Sequence, residues 1–241
     1  MAMSDFQTIK KVKEDYDEIG LAFSETRKKR MWAEILTFTK KVKSGMKVLD
    51  VGCGNGRLIP EFKGKKINYL GIDFSTVLLD QAKKRFPNRK FLLRDIAKAN
   101  DWVRLGKFEA IFNIGVMHHI PDRESQHLIL SQMYEHLEEN GFIVISVWNL
   151  WQIRFLKTHL SQIGKKIESR DWSHIWMPFS VSDGKKAVKK VMRFCKAYTA
   201  GEMINLIKQA GFKIENYYYA TGNLTHQSMF KGRNFVIMAR K

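Results

Sequence analysis

The chain has 241 residues, room for one α/β domain with insertions rather than two compact domains. Hydrophobic residues make up 44%, which excludes a wholly disordered chain, and no run of about 18 apolar residues is present, which excludes a membrane-spanning helix. Lys and Arg number 42 against 24 acids; the surplus of +18 either draws a polyanion, nucleic acid first among them, or is a lysine-rich solvated surface.

The N-terminal stretch has no apolar core segment and no cleavage site, so it does not read as a signal peptide. Two cysteines, Cys53 and Cys195, are too few for a disulfide framework or a metal site of their own. The expected compartment is the cytoplasm, with no metal and no membrane contact.

Residues 1–45 read as a helical cap. Phe6, Ile9, Val12, Tyr16 and Ile19 recur every three or four positions, which gives one apolar face. Gly20 is expected to interrupt the helix, and Trp32, Ile35, Leu36 and Thr39 continue a second one. Residues 46–148 then alternate apolar runs with amphipathic segments. The runs are 46–52, 67–73, 90–95, 108–115 and 141–148; the amphipathic segments are 76–86, opened by Ser75, and 125–140, closed by Asn140-Gly141. Such alternation implies a parallel doubly wound sheet with helices on both faces. Residues 149–196 break the rhythm as a basic, Trp-rich insertion on the substrate side, expected above the C-terminal edge of the sheet. Residues 197–241 add a helix, capped by Thr199 and stopped by Gly211, and two closing strands paired as a hairpin. All four stretches are expected to form a single domain.

Three acids close successive strands. Asp50 precedes the Gly52-x-Gly54-x-Gly56 turn, Asp73 ends the second strand before Phe74, and Asp95 ends the third before Ile96. The glycines let the backbone turn sharply and approach a ligand. An acid beside such a turn suits a cationic ligand better than a pyrophosphate, although a structural glycine turn is the plain alternative. A carboxylate at Asp73 suits ribose hydroxyls, and Asp95 with Ile96 suits an adenine amine and ring. The fourth strand ends Asn113-Ile114-Gly115 and leads into His118 and His119, of which at least one is a candidate for catalysis.

These motifs in this order resemble the first three motifs of class I S-adenosylmethionine (SAM) methyltransferases. The resemblance implies a Rossmann-like, seven-stranded, mostly parallel sheet whose last strand is antiparallel. It also implies SAM as cofactor, with Asn113, Ile114 and Gly115 beside the methyl group. The Asn/Asp-Pro-Pro-aromatic tetrad of amine-methylating nucleic-acid enzymes is absent, which favours O-methylation. Residues 16–32 look like the opening of the subgroup that methylates the carboxylate of 5-carboxymethyluridine at the tRNA wobble position. Tyr16, Arg27 and Trp32 fall in that opening, with Gly20 where the subgroup has Ala. Trp148, Trp176 and Arg193 fall where the subgroup has further aromatic and basic elements, and Arg123 stands near its arginine pair.

A carboxylate is ionised at neutral pH and needs alignment rather than a strong base. Arg27 is the candidate to bind it, or else the SAM carboxylate. Lys185, Lys189 and Arg193 share a helix face if the stretch is helical, whereas residues 191–198 equally alternate as a strand. The tryptophans amid this charge suit base stacking, or else form a small core. The subgroup also implies a tRNA partner and a small zinc-binding activator at the edge of the third strand, where Phe91 and Leu93 are candidate contacts. A small-molecule O-methyltransferase, acting on a quinone-like or carboxylic substrate, is the alternative function.

Overall fold

The computed structural model describes residues 3–27, 31–182, 187–226 and 228–241. The chain opens with α1 (Asp5–Thr26), which starts on a capping box between Ser4 and Gln7, and α2 (Ala33–Thr39). There follow β1 (Lys47–Val51), β2 (Asn68–Asp73), α3 (Thr76–Arg85), β3 (Lys90–Leu93), β4 (Phe108–Ile114), α4 (Arg123–Glu135) and β5 (Leu137–Trp148). The insertion contains α5 (Leu156–Ser161), α6 (Ile163–Ser169), β6 (His174–Ser182) and β7 (Ala187–Lys196). The C-terminal part contains α7 (Ala200–Gln209), β8 (Lys213–Thr221), β9 (Leu224–His226) and β10 (Asn234–Arg240).

The main sheet runs β3-β2-β1-β4-β5-β10-β8-β9. The first five strands are parallel, and β10 is antiparallel to both β5 and β8. This is the Rossmann-like order expected, with β10 as the reversed last strand. The sheet has eight strands rather than seven, because three-residue β9 folds back on the end of β8, with Tyr219 opposite His226. One face packs on α4 and α7 through Ile129, Met133, Met203 and Ile207; the other packs on α2 and α3 through Ile35, Phe38 and Leu79. The central strands are buried on both faces, which is why they read as unbroken apolar runs.

Two expectations about helix ends need correction. α4 stops at Glu135, and Asn140 takes its left-handed conformation (φ 63°) in the irregular start of β5. α1 runs through Gly20 without interruption. A Cβ at Gly20 would lie 2.8 Å from Val77 Cγ1 on α3, so this glycine lets two helices approach closely. Alanine would add about 1 kcal/mol of helix propensity. It would also press on a β-branched neighbour, and such overpacking costs about 1–3 kcal/mol. Gly20→Ala is therefore expected to lower the melting temperature by up to about 8 °C, and adding Val77→Ala to restore it. A thermal melt checks this; a rise for the single variant would show that the helices separate freely.

At the far edge, among the described residues, β3 pairs only with β2. Leu93 is 51% exposed there, but Phe91 is 7% exposed and packs edge-on to Tyr69. The expectation that Phe91 offers an outward contact is thus corrected: its side chain fills the core side of the strand. Among the described residues no helix is long and apolar enough to cross a membrane.

Candidate active site

The cleft lies at the C-terminal ends of β1, β2, β3 and β4, beside α1. Parallel strands bring their end residues to one edge of the sheet, so the three acids spaced along the sequence converge there. Asp50 is 3% exposed and lines the cleft. Tyr69 Oη donates to its Oδ2 at 2.7 Å. Burial, with a smaller push from Asp73 and against the Tyr69 bond, raises its pKa to about 7. Asp73 accepts from Gly54 N at 2.8 Å and from Ser75 N at 2.9 Å, and burial raises its pKa. Phe74 lines the cleft beside it. Asp95 also lines the cleft but pairs with Lys13 of α1, with Lys98 at 3.8 Å. Ile96 is buried next to it.

The glycine turn divides its labour. Gly52 and Gly54 line the cleft at φ 75° and 53°. Gly56 does not line it; its missing side chain makes room for Phe86, 2.9 Å from where a Cβ would stand. Ile114 and Gly115 line the cleft, whereas Asn113 is fully buried behind it, donates to Val51 O at 3.4 Å and leaves its Oδ1 without a partner.

The opposite end of the cleft is aromatic and basic. Tyr16, Phe23, Arg27, Trp32, His119 and Trp148 line it. The Arg27 guanidinium lies 4.7 Å from the Phe23 ring centre and 5.9 Å from that of Trp32; burial lowers its pKa. Arg57 sits 4.8 Å over the same Trp32 ring. His119 donates Nδ1–H to Phe194 O at 2.8 Å, which leaves Nε2 to accept from Tyr16 Oη, also at 2.8 Å. Burial first, then the Arg193 charge, brings its pKa down to about 3. Both ring nitrogens are thus committed within the protein, and neither is free to meet a ligand. His118 stacks 4.9 Å from Trp148 behind the cleft wall, with both nitrogens buried and unpartnered, and burial keeps it neutral. His118, His119 and Cys195 place possible ligand atoms within 4.8 Å of one another. With both His119 nitrogens taken and Arg193 nearby, this cluster is arranged for packing rather than for a cation.

Several sequence expectations fall elsewhere. Arg123 is exposed at the start of α4, bonded to His127 and Gln209, and does not reach the cleft. The Asp122 N-cap fixes the helix there and turns its first residue outward. The helical option for the basic element is overturned: residues 187–196 form β7, and Lys189 sits in that strand opposite Val181. Lys185 lies outside the described residues. Trp176 packs against Phe194 in the hairpin rather than lining the cleft, and Trp151 bonds Ala197 O in a small core. Arg193 is 4% exposed, just behind Tyr16 and Trp148. Sequence reasoning missed Lys13 and Phe23, which line the cleft, and Tyr69, which bonds Asp50. Only Phe23 carried a signal, as part of the opening motif.

With the geometry in place, comparison with known proteins is specific. A family model described as a methyltransferase domain matches residues 23–217. The tRNA (carboxymethyluridine(34)-5-O)-methyltransferase ALKBH8 of Macaca fascicularis is 32% identical over 159 residues, 64% of this chain and 23% of that protein. The tRNA (carboxymethyluridine(34)-5-O)-methyltransferase of Saccharomyces cerevisiae is 30% identical over 140 residues, 57% of this chain and 47% of that one. The chain therefore spans between a fifth and a half of the length of these curated relatives. A SAM-dependent methyltransferase from Methanosarcina mazei shares the fold at TM-score 0.66 and 16% identity, over 88% of this chain and 99% of that one.

Proposed function

Since this chain belongs to the methyltransferase domain family, we propose that it methylates the carboxylate of 5-carboxymethyluridine at the wobble position of tRNA, with SAM as donor. The observation that carries the reading is the opposed chemistry of one cleft: buried acids at the strand tips, and an arginine among aromatic rings at the other end. The first suits a cationic donor and the second an anionic, planar acceptor. The relatives named for this reaction support the same choice.

The residues fit the donor. Asp50 is a buried carboxylate whose one bond, from Tyr69, occupies Oδ2, so Oδ1 is open to an ammonium. Asp73 is held rigid by two backbone amides, with lone pairs left for sugar hydroxyls. Gly52 and Gly54 place no side chain between the turn and a ligand. Asn113 Oδ1 stands unpartnered beneath that floor. SAM, when bound, supplies a methyl on a sulfonium, which a carboxylate oxygen takes while the electron pair of the broken bond stays on sulfur and no proton moves.

The chain's own groups then align and shield. Arg27 holds the acceptor carboxylate, Trp32 and Trp148 flank the base, and Tyr16 and His119 form a fixed, neutral wall. The committed nitrogens of His119 match a reaction that needs no base. The +18 surplus favours contact with a polyanion such as tRNA.

Asp50 gives donor binding a pH dependence. With a pKa near 7 it is protonated in the free protein below that pH, and an ammonium requires it ionised. SAM affinity is expected to rise by up to about tenfold per pH unit between pH 5.5 and 7, with proton release on binding. Calorimetry in two buffers checks this, and Asp50→Asn should flatten the profile. A flat profile in the unmodified protein would remove Asp50 from the donor site.

The open β3 edge, with Leu93 exposed, is where a small zinc-binding activator would add a strand. Aggregation of the lone chain on size exclusion, relieved by such a partner, would support this. The central test is transfer of labelled methyl from SAM to tRNA carrying 5-carboxymethyluridine. Base-labile label at the wobble nucleoside is the expected result. Label on a small carboxylic acid and none on tRNA, with the activator present, would overturn the RNA assignment.

A further inference from the structure

Arg193 carries a charge that the fold leaves unanswered. It is 4% exposed on β7. Its Nε is buried without a partner, and its Nη1 donates to Tyr16 Oη at 3.4 Å. Among the described residues no acid forms an ion pair with it; Asp15, the acid within reach of its field, pairs with Lys11 on its own helix. Four aromatic rings enclose the guanidinium instead. Phe179 lies at 4.8 Å, Trp148 at 5.2 Å, and Tyr16 and Phe23 at 5.9 Å from their centres. Aromatic faces attract a cation but do not neutralise it.

A second guanidinium stands close by. Arg27 shares the Phe23 ring with Arg193, and each charge disfavours the other. Two like charges, one buried and one at the cleft wall, are costly until an anion answers them. The partners around Arg193 are also fixed in one sense only. Phe194 O holds the proton of His119 on Nδ1, His119 Nε2 takes the Tyr16 proton, and the Tyr16 lone pair then faces Arg193. One edge of the guanidinium is thereby anchored, and its Nε stays buried and unpartnered just behind the cleft wall.

We propose that Arg193 is the specificity-determining residue of this site, closing a two-guanidinium clamp with Arg27 that accepts the wobble uridine only when its side arm is a carboxylate. Tyr16 and His119 are positioning residues that hold the clamp. The proposal rests on the carboxylate-methylation reading above and names the residue that enforces it. A neutral amide of the same shape brings no anion to the box and leaves both cations unpaired, so it is rejected. The ester product is neutral too, which loosens the clamp once transfer is complete.

The test uses two anticodon stem-loop RNAs that differ only at the wobble base, one carrying 5-carboxymethyluridine and the other 5-carbamoylmethyluridine. Their binding is measured with S-adenosylhomocysteine present. The unmodified protein is expected to prefer the carboxylate by about thirtyfold or more, and Arg193→Gln to reduce that preference below about threefold with S-adenosylhomocysteine affinity unchanged. Tyr16→Phe is expected to raise KM for the carboxylate RNA about tenfold with kcat within about threefold. Retained preference in a folded Arg193→Gln protein overturns the proposal. So does a matching loss of S-adenosylhomocysteine affinity, which would assign the guanidinium to the donor. If the Gln variant does not fold, Arg193→Lys keeps the charge but loses the fork, and undiminished carboxylate affinity in it overturns the proposal. An unmodified protein that binds both RNAs equally contradicts the carboxylate reading itself.

Discussion

Gly52→Ala is expected to lower the melting temperature by about 4–20 °C and to abolish measurable SAM binding at micromolar concentrations. Two costs combine. Gly52 has φ 75°, a left-handed conformation that costs a residue with a side chain about 1–2 kcal/mol. A Cβ there would stand 2.4 Å from Val116 Cγ2, with the other atoms of that branched side chain at 3.1 and 3.3 Å. Val116 cannot yield by rotation alone, so overpacking adds about 1–3 kcal/mol. In a chain of this size each kcal/mol is worth about 2–4 °C. Val116 also lines the cleft, so its displacement intrudes on the donor side. Scanning calorimetry reads the first effect and titration the second. Gly56→Ala is the useful contrast, because it is expected to destabilise through Phe86 while leaving more of the donor site intact. Equal melting of Gly52→Ala and the parent would show that the turn tolerates a side chain.

Arg27→Ala is expected to reduce kcat/KM for tRNA carrying 5-carboxymethyluridine by about 100- to 1000-fold, with SAM affinity within about threefold of the parent. A guanidinium–carboxylate pair in a partly dry site is worth about 3–4 kcal/mol on truncation. Arg27 has aromatic neighbours and lowered basicity from burial, but no ion pair among the described residues. Its charge is therefore available to a ligand. Arg27→Lys keeps the charge without the fork and should recover only part of the loss. The readout separates the two roles open to Arg27. A fall in SAM affinity equal to the fall in kcat/KM would place the guanidinium on the donor carboxylate.

The strand-tip end of the cleft was legible because its signals are local. Parallel strands bring their C-terminal ends to one edge of the sheet, so Asp50 and Asp73 at the ends of β1 and β2, and Asp95 two residues past β3, are placed together by the sequence alone. The acceptor half depends on contacts far apart in sequence. Arg193 meets Tyr16 across 177 positions, and no local pattern reports that. The basic element had spacings that fit a helix and a strand at once. The strand wins because β7 pairs with β6 along its length and packs over α1, with Val191 and residues 193–195 buried. An arginine amid the apolar residues of that segment was the missed signal. Gly20 misled for the opposite reason: its local preference breaks a helix, but tertiary packing against Val77 demands it inside one. Arg123 was matched to a motif by position, and the helix cap at Asp122 sends it to the surface.

The most direct measurement is calorimetric titration of SAM into a folded protein bearing Asp50→Asn, Asp73→Asn and Asp95→Asn together. Three neutralised strand-tip acids should weaken binding by about 1000-fold or more, since each replaces a charge-assisted contact worth about 1.5–3 kcal/mol. Affinity equal to the parent's, with the fold verified by circular dichroism, would mean that these carboxylates do not hold the donor.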